Sequence, residues 1–166
     1  MDRMRTPPLK PAERRALDKA KRESAGQLVL KCARLYDELA IARVNREAGA
    51  PLLRPVHTKL FPHIDLEGTR LVTLAERLGV SKQAVSQWVA ELAEMGVVAL
   101  VADPDDGRAK RVQFTPRGIA GIHHGLGVLR EIERELAARI GAGRMAALKD
   151  ALVAIEPVLG SLAKRG

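Results

Sequence analysis

Between Leu71 and Gly118, apolar residues recur at three- and four-residue spacing in two stretches split by a glycine. The pattern then shortens around a cluster of turn formers. In the first stretch Leu74, Ala75 and Leu78 share one side. Thr73, with Glu76 three residues later, has the form of a capping box, in which each side chain satisfies an amide left free in the first turn. Gly79 follows at once and suits the left-handed conformation that ends a helix without a Cβ clash. Ser81 is placed to cap a second helix, and Val80 and Val85 occupy the two positions of a hydrophobic staple. Val85, Trp88, Val89 and Leu92 then repeat at helical spacing and should face the first helix. Beyond Gly96, VVALVA and RAKRVQF flank DPDDG, which predicts two strands around a turn. Helix, tight turn, helix and hairpin, in that order, predict a winged helix-turn-helix.

This pattern leaves Ser81, Lys82, Gln83, Ser86, Gln87 and Ala90 on the outer side of the second helix. The set is polar, short and free of acids until Glu91. A helix entering the major groove passes between two rows of phosphates, so Glu91 and Glu94 should keep their own end out and leave the N-terminal half to read. Arg108, Lys110 and Arg111 follow the hairpin turn, within reach of flanking phosphates or a narrow minor groove. Any exposed helix face is polar, so the conjunction of turn, helix and basic hairpin carries the DNA-binding expectation.

The flanking segments predict more helix. Leu28, Cys32, Leu35, Leu39 and Ala42 form one stripe from about Glu23 to Glu47, with Tyr36 beside it, and Gly49 to Pro51 breaks it. A second helix is expected over Leu53 to Ile64 despite Pro55 and Pro62, and a short first strand over Thr69 to Leu71. Thr115 and Pro116 open a long helix whose stripe is Ile119, Ile122, Leu126, Leu129, Leu136 and Ile140. After the Gly141 to Gly143 turn, Met145, Leu148, Leu152, Ile155, Leu159 and Leu162 repeat that stripe, with a kink expected at Pro157. These stripes exceed what one small winged helix covers, so the chain is expected to form a symmetric homodimer through its terminal helices. The expected fold class is mainly α, with a small antiparallel wing sheet. Its parts are a basic extension (1–22), N-terminal helices (23–66), the winged helix (67–115) and C-terminal dimerisation helices (116–166).

Charge sharpens this picture. The 166 residues carry a net +8 with only 2% aromatics, which favours a polyanionic partner and disfavours single-strand or RNA recognition by base stacking. Half of that charge lies in the first 23 residues, eight Lys and Arg against four Asp and Glu. That segment reads either as a solvated extension, with a helix after Pro11, or as an arm adding phosphate contacts. One cysteine excludes an intramolecular disulfide. No apolar run reaches membrane-spanning length and no signal-peptide core is present, so a cytoplasmic protein without membrane association is expected.

LAERLGVSKQAVSQWVAELAEMGVV followed by DPDDGRAKRVQFTPRG resembles the winged-helix core of the MarR family of bacterial transcriptional regulators. Its most specific part is Asp103, Pro104, Asp106, Arg108, Ala109, Lys110, Thr115, Pro116 and Gly118. The resemblance implies that Arg108 enters the minor groove and that Asp106 helps to orient it. It also implies a small aromatic or amphipathic effector between the dimer helices and the winged domain, for which Tyr36, His57 and Phe61 are lining candidates. Leu100, Val101 and Gln87 stand where many relatives carry Arg, so phosphate affinity is either weaker than usual or supplied by another segment. Peroxide-sensing relatives place a reactive Cys near the start of the first long helix, with a Tyr one turn later. A thiolate needs a cation or a helix N-terminus to lower its pKa; Cys32 lies mid-helix beside Lys31 and Arg34, and a buried structural role is the expectation set against a redox one.

No metal-ligand motif is present among His57, His63, His123 and His124, and neither a catalytic triad nor a phosphate loop appears, so no enzyme, metal or cofactor is expected. The function expected is a dimeric, sequence-specific regulator on a pseudo-palindromic operator of double-stranded DNA, a repressor released by a small-molecule effector. The alternative is a winged-helix protein-interaction or non-specific DNA-architectural module.

Overall fold

The computed structural model describes residues 9–48 and 53–163, in two compact units divided after Leu39. The Gly49 to Pro51 break lies outside the described residues. The first unit contains α1 (Pro11–Glu23) and the beginning of α2 (Ala25–Ala48). Pro11 opens α1 where an amide is not needed, and the Glu13 carboxylate accepts from the Lys10 amide at 3.0 Å. Ser24 separates the two helices, and its hydroxyl accepts from the Gln27 amide at 3.3 Å. The extension after Pro11 is therefore helical, with no buried residue.

The second unit continues with α3 (Pro55–Thr58), a 3-10 turn (Phe61–His63), β1 (Thr69–Arg70), α4 (Leu71–Leu78), α5 (Lys82–Glu94), β2 (Val98–Ala102), β3 (Lys110–Phe114), α6 (Pro116–Ile140) and α7 (Ala142–Ala163). The single helix expected over Leu53 to Ile64 is in fact two short pieces. Pro62 disfavours α conformation at Phe61 and donates no amide, and the chain tightens into i→i+3 bonds from the Leu60, His63 and Ile64 amides. The three strands are antiparallel in the order β1-β3-β2, with Arg70 opposite Arg111, Val98 opposite Phe114 and Ala102 opposite Lys110.

One core sits beneath α5. Val85, Val89 and Leu92 meet Leu74 and Ala75 of α4, Leu60 and Ile64 of the preceding segment, and Val98 and Val112 of the sheet. The ring centroids of Phe61 and Phe114 are 6.1 Å apart in a tilted pair at its margin. The start of α4 differs from the capping box expected at Thr73 and Glu76. The helix begins directly after β1, with Arg70 at its cap and Thr73 already in its first turn. Its end follows the sequence: Gly79 adopts φ 64° and the Val80 amide reaches back to the Ala75 carbonyl at 3.1 Å, a Schellman closure.

Thr115 caps α6 by accepting from the Gly118 amide at 3.0 Å, while its own hydroxyl donates to the Gly96 carbonyl at 2.6 Å. The buried side of α6 runs through Gly118, Val128 and Ile132 rather than along the expected stripe, whose Ile119, Leu126 and Ile140 are exposed. Arg43 and Glu135 join the C-terminal part of α2 to α6 through two parallel 2.8 Å bonds. Gly141 alone links α6 to α7, with φ 95°. In the single chain α7 has no buried residue, although it carries Leu148, Leu152, Ile155, Val158, Leu159 and Leu162. On α2, the residues around Cys32 are exposed, Cys32 included, and Ile41 is the buried position. Burial of Cys32 is not achieved within one chain.

Gly118 is the tightest point. A Cβ there would lie 1.9 Å from the Val97 carbonyl oxygen, which the Thr115 amide also holds at 3.1 Å. Gly118→Ala is expected to cost about 1–3 kcal/mol, because backbone on both sides must shift. Urea unfolding monitored by circular dichroism measures it, and an unchanged midpoint would show that α6 does not rest on Val97.

Candidate nucleic-acid interface

Helix α5 presents Lys82, Gln83, Ser86, Gln87 and Ala90 together around one shallow, open depression. Its start is fixed by Ser81, whose hydroxyl accepts from the Ala84 amide at 3.2 Å. The exposed set is the one expected from spacing, because the core takes the opposite side. The C-terminal part differs from expectation. Glu91 is not a free acid: its Oε2 accepts from His57 Nε2 at 2.8 Å and from the Arg54 guanidinium, and its Oε1 accepts from Gln87 Nε2 at 3.4 Å. His57 and then Arg54 hold the Glu91 carboxyl below the usual range.

His57 is enclosed against α5. It is 2% exposed, its Nδ1 accepts from the Arg54 amide at 3.3 Å, and its ring proton consequently lies on Nε2, facing Glu91. Burial demands a partner for both ring nitrogens, and α5 supplies the second. Phe61 does line a cavity of about 480 Å³ together with Val44, Leu53, Met95, Val97 and Ile122. Arg117 and a 3.0 Å pair between His124 and Glu47 give that cavity its polar groups. Tyr36 belongs to the first unit, His57 and Phe61 to the second.

The wing is built around a buried carboxylate. Asp103 is 2% exposed; its Oδ2 accepts from Arg70 Nε, and its Oδ1 from Arg111 Nη2 at 3.0 Å and from the Asp105 amide at 2.9 Å. Arg111 Nη2 also reaches Asp105 Oδ2 at 2.6 Å. Arg70 first, then Arg111, hold the Asp103 carboxyl far below the usual carboxylate range. This one side chain ties β1, the end of β2 and β3 together at the base of the turn. Arg111, expected to meet DNA, is thereby committed to the wing, because a buried carboxylate needs cationic partners more than an exposed phosphate contact does. Asp106 also departs from expectation. Its Oδ1 accepts from the Arg108 backbone amide at 3.1 Å, so it shapes the turn rather than gripping the guanidinium. Arg108 and Lys110 are left exposed on the hairpin.

Sequence spacing did not single out the Arg54–Glu91 and Arg70–Asp103 pairs, because each spans more than thirty residues. The signal available for Asp103 was its place between a strand and a Pro-containing turn. Among the described residues no three His, Cys, Asp or Glu side chains are grouped to hold a metal ion, and no helix is long and apolar enough to cross a membrane.

Residues 66–109 match the sequence model of the MarR family. The winged helix is of the MarR family. No curated protein sequence matches the chain. Solved structures give the same fold over most of its length. Wild-type MarR from E. coli in its apo form is 20% identical, with a TM-score of 0.65, covering 80% of this chain and 96% of that one. The transcriptional regulator Tm0710 from Thermotoga maritima is 20% identical, with a TM-score of 0.59 over 85% of this chain and 97% of its own. CouR from Rhodococcus jostii, solved with p-coumaroyl-CoA, is 20% identical, with a TM-score of 0.60 over 81% and 93%. The chain thus has the MarR-family transcriptional-regulator fold, mainly helical with a three-stranded wing sheet.

The Asp103 cluster makes wing stability pH-dependent. An unfolded Asp titrates near about pH 3.9, and the folded carboxyl titrates lower, so its stabilisation is complete above that range and is lost as pH falls through it. Asp103→Asn should lower the melting temperature at neutral pH, and the gap from wild type should narrow as pH falls from about 5 to about 2. A constant gap in calorimetry across that range would remove the ionised Asp103 from the account.

Proposed function

We propose that the protein is a dimeric, sequence-specific DNA-binding transcriptional regulator, a repressor released by a small molecule. The observation that carries this reading is the exposed side of α5, with Gln83 and Gln87 one turn apart next to a wing carrying Arg108 and Lys110. A Gln side chain offers donor and acceptor together, the pattern presented by adenine in the major groove. Arg108 at the wing tip supplies the flanking contact, and Ser81, Lys82 and Ser86 the phosphate and base-edge contacts of the helix start. Two copies related by a twofold axis then read half-sites about 10 to 10.5 bp apart, or a multiple of that spacing.

The exposed apolar side of α7 supports the dimer, since a helix of 22 residues with no buried side chain in one chain needs cover from a second. The cavity lined by Phe61 supports an effector site. Its apolar wall with Arg117 at hand suits an amphipathic acid, and the complex of CouR with p-coumaroyl-CoA supplies a precedent for a ligand on this fold.

Selection of bound duplexes from a random pool is the decisive experiment, and enrichment of one pseudo-palindrome is the expected result. Recovery of sequences with no preference would favour the architectural alternative. On the selected site, Gln83→Ala or Gln87→Ala should cost about 1–3 kcal/mol at one base pair and relax the preference there. Arg108→Ala should weaken binding while leaving the melting temperature nearly unchanged, because a wing tip contributes little to the core. Full site preference in all three variants would place recognition elsewhere in the chain.

The dimer has its own test. Sedimentation of the wild type at micromolar concentration should give the mass of two chains, and Leu152→Glu or Leu159→Glu should give monomers or insoluble protein, since each buries a charge in the contact. A wild-type monomer would sink the symmetric operator model.

A further inference from the structure

The distribution of charge is at odds with the reading head's task. Residues 67–115 hold six Lys and Arg against seven Asp and Glu, so the winged helix itself has a net charge of −1 in a chain of +8. Three of its six cations are also committed within the fold: Arg70 and Arg111 to Asp103, and Arg77 to Asp65 at 2.9 Å. That leaves Lys82, Arg108 and Lys110 per head to neutralise phosphates. DNA affinity at physiological salt comes largely from releasing counterions at each neutralised phosphate, so three cations per head provide little of it.

Helix α1 holds what the head lacks. At 100° per residue, Lys21, Arg14, Arg22, Arg15 and Lys19 fall on one arc of about 160°, shared with Asp18 and Pro11. Every residue of the helix is exposed, and its one ion pair among the described residues, Lys19 to Glu23, is long at 3.8 Å and open to solvent. The other side carries Ala12, Ala16, Leu17 and Ala20 with Glu13 and Glu23. Three alanines and one leucine bury too little to insert into a lipid surface, where large apolar side chains are required. The charge arc suits a regular polyanion.

We propose that the basic side of α1 is a second DNA contact, binding the phosphate backbone of the duplex without regard to sequence. Resting on the DNA-binding reading above, it divides the labour: α5 and the wing select the site, and α1 supplies electrostatic affinity. Phosphates carry no sequence information, so the contact raises affinity for operator and non-operator DNA alike.

The test uses the full chain with Arg14, Arg15, Lys19, Lys21 and Arg22 all replaced by Gln, which keeps helix propensity and touches no buried residue. Fluorescence anisotropy across a salt series is measured on the selected site and on a scrambled duplex, with phosphatidylserine vesicles as a third arm. Expected are equal losses of about tenfold or more on both duplexes, and a log–log salt slope shallower by about 0.9 for each phosphate contact removed. Asp18→Gln, which closes the gap in the arc, should tighten both. If the wild type prefers its site and the Gln variant keeps both affinities and the slope, this inference falls and the reading of α5 stands. Loss of vesicle binding with DNA affinity intact would overturn it in favour of a membrane contact. A wild type that binds neither duplex would overturn the DNA-binding reading and this inference together.

Discussion

Burial of Val85, Val89 and Leu92 against α4 and the wing sheet determines which residues α5 shows to solvent, and every other feature of the interface is arranged around that helix. A helix has one rotation about its axis that covers three large apolar side chains, and a rotation of even one residue would expose some of them at about 1.5–3 kcal/mol each. The polar set Lys82, Gln83, Ser86 and Gln87 is displayed because nothing else is left for that side. The cap at Ser81 and the Schellman closure at Gly79 set the angle at which α5 leaves α4. His57 and Arg54 hold its far end through Glu91.

The wing follows a different logic. Its strands are short, and its turn carries three aspartates and three cations within nine residues. Such a hairpin would be poorly defined by packing alone. The buried Asp103 gives it one geometry by gathering Arg70 and Arg111 from two neighbouring strands, and Asp106 fixes the turn through the Arg108 amide. The cost is cationic charge: two arginines of the sheet are paired with Asp103. Arg108 and Lys110 remain outside.

Much of this was legible in the chain. Turn, cap and core positions from Leu78 to Leu92 follow from spacing, because helix periodicity and the chemistry of Gly79 and Ser81 are local properties. The two wing strands and the Thr115–Pro116 helix start were legible for the same reason, and the MarR resemblance rested on those same residues. Where local signals competed with tertiary context they misled. Thr73 and Glu76 have the form of a cap, but β1 runs straight into α4 and makes Arg70 the boundary. Leu53 to Ile64 has enough apolar residues for one helix, but Pro62 withdraws an amide near its end and disfavours α conformation at Phe61.

The sequence by itself determined the winged helix, the polar outer side of α5 and its net charge, since each depends on residues near one another in the chain. Tertiary structure alone decided which charges are available. Whether an arginine meets a phosphate or a buried carboxylate depends on side chains brought together across 8 to 37 residues, as with Arg111 and Asp103 or Arg54 and Glu91. Desolvation makes such buried pairing obligatory once the carboxylate is enclosed. No local pattern records that enclosure, because it is created only when the strands and helices pack.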